Sequence, residues 1–189
     1  MASTCSKPKD VTPGVRAFLG EHLALLKKGY SFSGHERSLV MRNKGDGTFF
    51  NFSGVSGADT IRDGRGTVFA DFDRDGDTDI FLRAMHGPAH LFLRNEVGHS
   101  ANWIRVRLQG TTSGSDAFGA VVRVKTSAGT LTKLKSGGSG FLSQSDPELL
   151  FGLGRDERAL SVEVFWPSGK RQTQPGPKAG KSITVFEPN

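Results

Sequence analysis

The sequence has little of several residues that would simplify its interpretation. Its single cysteine, Cys5, excludes an internal disulfide. One tyrosine beside 14 phenylalanines favours aromatic packing inside a core over an adhesive aromatic surface. No apolar run approaches the ~18 residues of a membrane span, so none is predicted. The first residues lack the apolar core of a secretory signal, so we expect a protein not exported by that route, or a mature form or fragment.

Glycine and charge are what the sequence has in quantity. With 25 glycines and 35% hydrophobic residues, the composition indicates a turn-rich globular protein. The net charge of +6 is uneven, because residues 39–95 contain seven basic and eight acidic residues whereas residues 96–189 contain twelve and eight. The acidic residues concentrate in the loop Asp71–Asp79, where a bound divalent cation would reverse the local charge.

One amphipathic helix is predicted over residues 13–28. Thr12 can cap it, Pro13 suits the first helical position and Gly29 suits its end. One face carries Val15, Phe18, Leu19, His22, Leu23 and Leu26 at helical spacing. We expect this face to cover an apolar patch of the protein, and the alternative is a helix that binds a membrane surface or a partner.

The chain after the helix has the pattern of β-structure. Short apolar runs between turns predict strands at 39–42, 49–52, 68–72, 79–83 and 90–94, and then at 103–108, 120–125, 131–135, 149–151, 161–166 and 182–186. The second group indicates a sandwich or barrel. Because helices do not alternate with these strands, a parallel α/β sheet is not expected.

An acidic loop carries the densest chemical signal in the chain. Its five alternating carboxylates are Asp71, Asp73, Asp75, Asp77 and Asp79. They occupy positions 1, 3, 5, 7 and 9 of a loop with Gly76 at position 6, as in the opening of an EF-hand loop. Position 12 is Leu82 instead of a bidentate glutamate, and both flanks are predicted strands. The pattern therefore predicts a calcium loop within a β-hairpin, in which Asp77 binds through its carbonyl and the others through side chains.

The acidic loop is also compatible with other interpretations. All-oxygen ligands favour Ca²⁺ over zinc or copper, and Mg²⁺ would require tighter octahedral geometry and more water. One alternative is an acidic surface turn without an ion. A catalytic carboxylate pair is another, but it needs a cleft with unlike environments, whereas these five share one tight loop.

Motifs in residues 39–95 resemble an FG-GAP/VCBS repeat. They are Asn43-x-Gly45-Asp46-Gly47-Thr48-Phe49, Gly64-x-Gly66, Phe69-x-Asp71-Phe72-Asp73-x-Asp75-Gly76-Asp77-x-Asp79-Ile80-Phe81 and Phe92-x-Arg94-Asn95. The resemblance implies that the acidic loop binds calcium within a propeller blade. It also implies an exported or cell-surface protein, since such repeats are typical of exported chains.

The second part of the chain is similar to the ASPIC/UnbV domain. Its motifs are Trp103-Ile104-x-Val106-x-Leu108, Asp116-Ala117-Phe118-Gly119-Ala120, Ser136-Gly137-Gly138-Ser139-Gly140-Phe141-Leu142-Ser143-Gln144-Ser145, Phe151-Gly152-Leu153-Gly154 and Val162-Glu163-Val164-x-Trp166-Pro167-Ser168-Gly169. Together the two resemblances cover roughly residues 39–188. They imply a pairing of domains and not a particular reaction.

These features predict a mainly β protein. It should contain one propeller-blade-like calcium hairpin unit and an antiparallel β-sandwich, preceded by one amphipathic helix. We divide the chain into a flexible arm at 1–11, the helix and a connector at 12–38, the calcium-binding β unit at 39–95 and the sandwich at 96–189.

Six basic residues of the second part are out of phase with the apolar residues of their strands: Arg105, Arg107, Arg123, Lys125, Lys133 and Lys135. If the strands are neighbours, these candidates form one anion-binding sheet face for a glycan, an acidic protein or nucleic acid. Nucleic acid is disfavoured because no base-stacking aromatic residues are interleaved. The alternative is the solvated side of a sandwich.

Two further stretches were considered as sites. The glycine- and serine-rich turn 136–145 could present amides to an anion, but it lacks the P-loop spacing, and a tight bulged turn is the alternative. His86 and His90 could meet across a turn as zinc ligands, although no cysteine is near.

The predicted function is a calcium-stabilised binding or adhesion-type module, without catalysis of its own, for an unidentified protein or glycan partner. One alternative is an enzyme or accessory protein of secondary metabolism, by analogy with ASPIC/UnbV proteins. Another is polyanion binding. A deep pocket that joins His86, His90 or Arg94 to turn 136–145 would favour the enzyme.

Overall fold

A computed structural model describes residues 12–28, 30, 36–85 and 90–189. The described residues form two compact units: those up to Gly64 with Ala84 and Met85, and Arg65–Arg83 with His90–Asn189. This division places the acidic loop in the same unit as the second part of the chain. The boundary between residues 95 and 96 stays a prediction, while the predicted arm at 1–11 and His86 lie outside the described residues.

The first unit begins with helix α1, Pro13–Lys27, which agrees with the predicted helix. Its first backbone hydrogen bond joins the Arg16 amide to the Thr12 carbonyl at 3.0 Å. Val15, Phe18 and other apolar side chains of its predicted apolar face are about half exposed, and the prediction that this face covers an apolar patch stays a prediction. Helical spacing identifies an apolar face but does not specify what covers it.

A β-hairpin follows in the first unit. Strands β1, Met41–Asn43, and β2, Phe49–Asn51, pair antiparallel. The turn between them is held by the Asp46 carboxylate, which accepts hydrogen bonds from the amide and hydroxyl of Thr48. A short helix that the sequence pattern did not predict, α2 at Ser53–Ser56, comes next.

The acidic loop joins two strands of a three-stranded sheet. This sheet has the order β3-β4-β5, with β3 at Gly64–Ala70, β4 at Asp79–Ala84 and β5 at His90–Leu93. The last two strands are antiparallel, with Phe81 opposite Phe92. The predicted blade-like region thus consists of a hairpin, β1-β2, and a separate three-stranded sheet.

The remaining strands form a sandwich. They are β6 (Asn102–Gln109), β7 (Val121–Thr126), β8 (Gly129–Leu134), β9 (Leu149–Gly154), β10 (Ser161–Phe165), β11 (Arg171–Pro175) and β12 (Lys181–Phe186). One sheet has the order β11-β10-β7-β8 and the other β12-β6-β9. All these pairs are antiparallel except β12 with β6, which is parallel. The predicted mainly β fold with a sandwich is confirmed.

The apolar core lies in the sandwich. Alternate residues of its strands are buried: Ile104, Val106, Val122, Val124, Phe151, Val162 and Val164. Full burial of a side chain of this size stabilises a fold by about 1.5–3 kcal/mol, so the alternation accounts for the two-layer packing. Among the described residues, no helix has both the length and the apolar character needed to cross a bilayer.

Candidate functional site

Local hydrogen bonds of the acidic loop explain its alternating sequence. The Asp73 carboxylate accepts a hydrogen bond from the Asp75 amide at 3.4 Å, and the Asp75 carboxylate accepts one from the Asp77 amide at 3.1 Å. Gly76 has a φ of +99°, a conformation in which glycine is strongly favoured. Each of these carboxylates thus binds the backbone amide two residues further along, which curves the loop backbone.

Three of the predicted ligands converge. Asp71, Asp73 and Asp75 each place one carboxylate oxygen within 4.8 Å of the other two. Asp71 is buried, Asp75 is half-buried and Asp73 is exposed. Negative charges this close repel one another unless a cation lies among them.

Two oxygens of the loop lack the partners that burial requires. Oδ1 of Asp71 and Oδ1 of Asp77 are both buried and accept no hydrogen bond. Buried polar atoms without partners are uncommon because their desolvation is not compensated. A set of carboxylate oxygens with unused acceptors fits a hard divalent cation, and Asp71, Asp73 and Asp75 are the residues that could hold it.

Two arginines balance part of the loop's charge. The guanidinium of Arg105, on β6, donates to Oδ2 of Asp71, and both side chains are at most 5% exposed. Nε of Arg94 lies 2.7 Å from Oδ2 of Asp73. The sequence pattern does not reveal these pairs, because Asp71 and Arg105, for example, are 34 positions apart in the chain and leave no local signal of their contact.

The other two predicted ligands do not join the group of three. Asp79 accepts hydrogen bonds from the amides of Phe72 at 3.0 Å and Asn95 at 2.8 Å, so it clamps the hairpin. Oδ2 of Asp77 accepts one from the Gly98 amide at 3.1 Å. Burial, followed by repulsion from neighbouring carboxylates, raises the pKa of Asp77. Ion binding by Asp79 and by the Asp77 carbonyl stays a prediction.

The loop packs against strand β6. A Cβ atom added at Gly76 would overlap the ring of Trp103, so the loop backbone lies directly on that indole. The guanidinium of Arg105 lies 5.5 Å from the same ring. The acidic loop and the sandwich are therefore joined by side chains of β6.

The six candidate anion-binding residues do not form one sheet face, and that prediction is wrong. The first two, Arg105 and Arg107, are on β6, whereas Arg123 and Lys125 are on β7 of the other sheet. The remaining two are Lys133 and Lys135, of which Lys135 is buried. Anion binding by the subset on β7 stays a prediction.

The register of β8 explains where Lys133 points, and Lys135 directly follows that strand. Lys133 lies opposite Val122, a core residue, and its Nζ is 5.6 Å from the ring centroid of Phe151. Burial lowers the pKa of Lys133. Lys135 donates to the carbonyl of Pro147, and burial also lowers its pKa. Alternation in the sequence could not reveal this register.

A cavity of about 310 Å³ lies between turn 136–145 and the three-stranded sheet. Its lining includes Val68 and Phe81 from the sheet and Phe141 and Leu142 from the turn. Among the described residues, neither His90 nor Arg94 lines it, and His90 instead stacks on Phe81 with centroids 5.6 Å apart. The cavity therefore includes turn 136–145 but not His90 or Arg94, two of the residues that the enzyme alternative would place in it.

The chain was compared with known proteins. Cartilage acidic protein 1 of Mus musculus is 46% identical over 114 residues, which are 57% of this chain and 17% of the relative. The Homo sapiens and Xenopus tropicalis proteins of the same name are 44% and 42% identical over equal shares. The chain thus spans less than a fifth of the length of these relatives.

Sequence models of two families also match. Residues 30–82 match the FG-GAP-like repeat, and residues 110–189 match ASPIC and UnbV. The first match includes the whole acidic loop, and the second begins directly after β6 and covers strands β7 to β12 of the sandwich. The predicted architecture is confirmed: the chain carries an FG-GAP-like repeat followed by an ASPIC and UnbV domain.

Proposed function

We propose that this chain is a calcium-stabilised binding module of the adhesion type, exported from the cell. The observation that carries the proposal is the buried carboxylate of Asp71, whose Oδ1 accepts no hydrogen bond beside two other converging carboxylates. Carboxylates of this kind are the ligands that Ca²⁺ prefers. FG-GAP-like repeats are a setting in which such loops bind calcium, and this supports the assignment.

Bound calcium would supply positive charge at the point where the carboxylates meet. The residues that would hold it are Asp71, Asp73 and Asp75. Because the same loop packs on Trp103 of β6, ordering of the loop would also stabilise the attached sandwich strand. Binding free energy then becomes folding free energy, which is a structural and not a catalytic use of a metal.

The comparisons support the exported, adhesive part of the proposal. The curated relatives are named for cartilage, and this favours an extracellular setting with a protein or glycan partner. Their name also contains the word acidic, whereas this chain has a net charge of +6. A binding partner of this chain should therefore be identified in experiments with this chain and not inferred from its relatives.

The metal part of the proposal is tested by calorimetric titration of the purified protein with calcium chloride. We expect saturable binding to the wild type and loss of most of it in Asp73→Ala, because Asp73 is one of the three converging ligands. Asp116→Ala, which removes an exposed aspartate outside the loop, serves as the matched control and should bind as the wild type does. A titration without binding heat, together with a melt that calcium leaves unchanged, would refute the proposal.

One observation favours a second function, polyanion binding. On the outer side of the β11-β10-β7-β8 sheet, the guanidinium groups of Arg123 and Arg171 lie 4.6 and 5.0 Å from the ring centroid of Phe165. The two guanidinium groups are thereby held on one ring, and Lys125 is on the same face of β7 as Arg123. Charges fixed in this way lose less conformational entropy on binding an anion.

Retention on heparin tests this second function. The wild type should elute later than Arg123→Gln/Arg171→Gln, and the difference should shrink steeply with salt. Arg155→Gln/Arg158→Gln removes two charges elsewhere in the sandwich and is the charge-matched control. Equal elution of the two double variants would count against a specific face.

A further inference from the structure

Arg105 is the feature of the acidic loop that the proposed function leaves unexplained. It belongs to the sandwich strand β6, and its side chain is 5% exposed. A buried guanidinium requires a counter-charge, and Asp71 supplies it through Oδ2. The same oxygen accepts the Gly76 amide at 3.0 Å, so Oδ2 of Asp71 is fully engaged.

The other oxygen of the same carboxylate is available to an ion. Oδ1 of Asp71 accepts no hydrogen bond although its side chain is 1% exposed. Oδ2 of this carboxylate is thus bound to a fixed protein cation, and Oδ1 is the oxygen left for an ion in a residue that converges with Asp73 and Asp75. The Arg105 guanidinium and a calcium ion can bind this carboxylate at the same time, but they share its single negative charge.

The surroundings fix Arg105 in this position. Its Nε forms an ion pair with a carboxylate oxygen of Glu148 at 3.6 Å, without a hydrogen bond, and its guanidinium lies 5.5 Å from the centroid of the Trp103 ring. Among the described residues, Asp71 is therefore the side chain that accepts a hydrogen bond from the buried guanidinium. Because this side chain is buried and paired with Asp71, its charge belongs to the surroundings of the loop.

We propose that Arg105 is a resident counter-ion of the calcium loop, a role that rests on the proposed calcium binding. It keeps Asp71 in place in the calcium-free protein, and its charge opposes that of the incoming ion. Two cations that share one carboxylate lower each other's binding affinity by the same factor. Arg105 therefore lowers the calcium affinity of the loop while it sustains the fold without calcium, which suits a module that meets calcium at high concentration.

The experiment compares wild type, Arg105→Met and Arg107→Met by thermal melts in chelator and in calcium, together with calcium titration. Arg107 lies two residues further along β6, is exposed and makes no ion pair with the described loop carboxylates, so its variant is the matched control. We expect Arg105→Met to melt lower than wild type in chelator but to gain more from calcium, with about tenfold tighter binding. Arg107→Met should follow the wild type in both measurements.

The outcomes separate this inference from the proposed function. If the wild type binds calcium and Arg105→Met shows an equal or smaller calcium-induced shift, the counter-ion role is overturned while the calcium site stands. If the wild type binds no calcium, the proposed function fails, and the role of Arg105 toward the ion fails with it.

A conservative variant covers the case in which Arg105→Met does not fold. Arg105→Lys keeps the charge but loses the planar fork of donors. It should melt between wild type and Arg105→Met in chelator, with a calcium affinity near that of wild type, because the opposing charge remains. A tenfold gain in affinity with lysine at this position would show that charge is not the cause, and would overturn the proposal.

Discussion

The sandwich and the acidic loop lie in one compact unit but are held together by different forces. The sandwich buries an apolar cluster between its two sheets, including Ile104, Val122 and Phe151. The loop instead buries three carboxylates, those of Asp71, Asp77 and Asp79. A buried apolar side chain needs only neighbours that pack closely against it, whereas every buried carboxylate needs hydrogen-bond donors or cations. If the loop binds calcium as proposed, its stability depends on the ions in solution, whereas that of the sandwich does not.

The largest effect is expected in the sandwich core. Phe151→Ala should lower the free energy of unfolding by about 3–5 kcal/mol, because it removes a buried aromatic ring and leaves a cavity. The loss should be the same in calcium and in chelator, as measured by urea denaturation. Phe186→Ala, on an exposed side chain of β12, should change stability by about 0.5 kcal/mol or less.

The next largest effect is expected at the hairpin clamp. Asp79→Ala removes the acceptor of two backbone amides, those of Phe72 and Asn95, and should cost about 2–4 kcal/mol. Asp79→Asn retains one acceptor oxygen and should cost less. Amide hydrogen exchange at Phe72 and Asn95 locates the effect, and unchanged protection in the alanine variant would contradict the clamp.

A smaller effect is expected where the loop meets β6. Gly76→Ala places a side chain at a φ of +99° and against the Trp103 ring, and should cost about 1–3 kcal/mol. Gly47→Ala has a similar backbone strain at a φ of +85° but open space around it, so it separates strain from overlap. Equal losses of unfolding free energy in the two variants would show that contact with Trp103 contributes nothing.

A pH-dependent effect is expected at a buried carboxylate of the sandwich itself. Glu187 accepts hydrogen bonds from the amides of Thr111 at 2.7 Å and Ser113 at 2.9 Å, and from the Ser168 hydroxyl at 2.5 Å. Burial opposes its charge, but these bonds prevail and hold the pKa of Glu187 well below its usual range. At Glu187, hydrogen-bond donors of the protein stabilise the negative charge without a cation.

This pKa fixes the sign of the pH dependence. A depressed pKa means that the stabilisation is complete above the ordinary glutamate pKa of about 4.3 and is lost as the pH falls below it. Glu187→Gln should therefore melt below wild type at neutral pH, and the difference should narrow in acid. Glu157→Gln, at an exposed position, is the control, and a difference that persists unchanged at low pH would contradict the assignment.

Local pattern was sufficient for much of the fold. Alternation predicted β7 and β10, and helical spacing predicted α1. Strand β11 was missed because its sequence, Arg171–Pro175, has no apolar residue, and it is a strand only because it pairs with β10. Propensity and alternation cannot report a strand that tertiary pairing creates.

In the acidic loop, too, the sequence predicted local features but not contacts between distant residues. Period-two carboxylates with Gly76 indicated the loop and the convergence of its first three ligands. The pairing of Asp71 with Arg105 joins residues far apart in the chain, and the sequence pattern placed Arg105 on an outer anion-binding face instead. Which charges meet across a fold is decided by register and packing, and neither is visible in spacing.

The most direct test of the account is a thermal melt of the wild-type protein in calcium and in excess chelator. We expect a lower melting temperature in chelator, because an ion that binds only the folded state stabilises it. Asp73→Ala should lose most of this difference. A wild-type melting temperature that is the same in calcium and in chelator would contradict the central claim that the acidic loop is a structural calcium site.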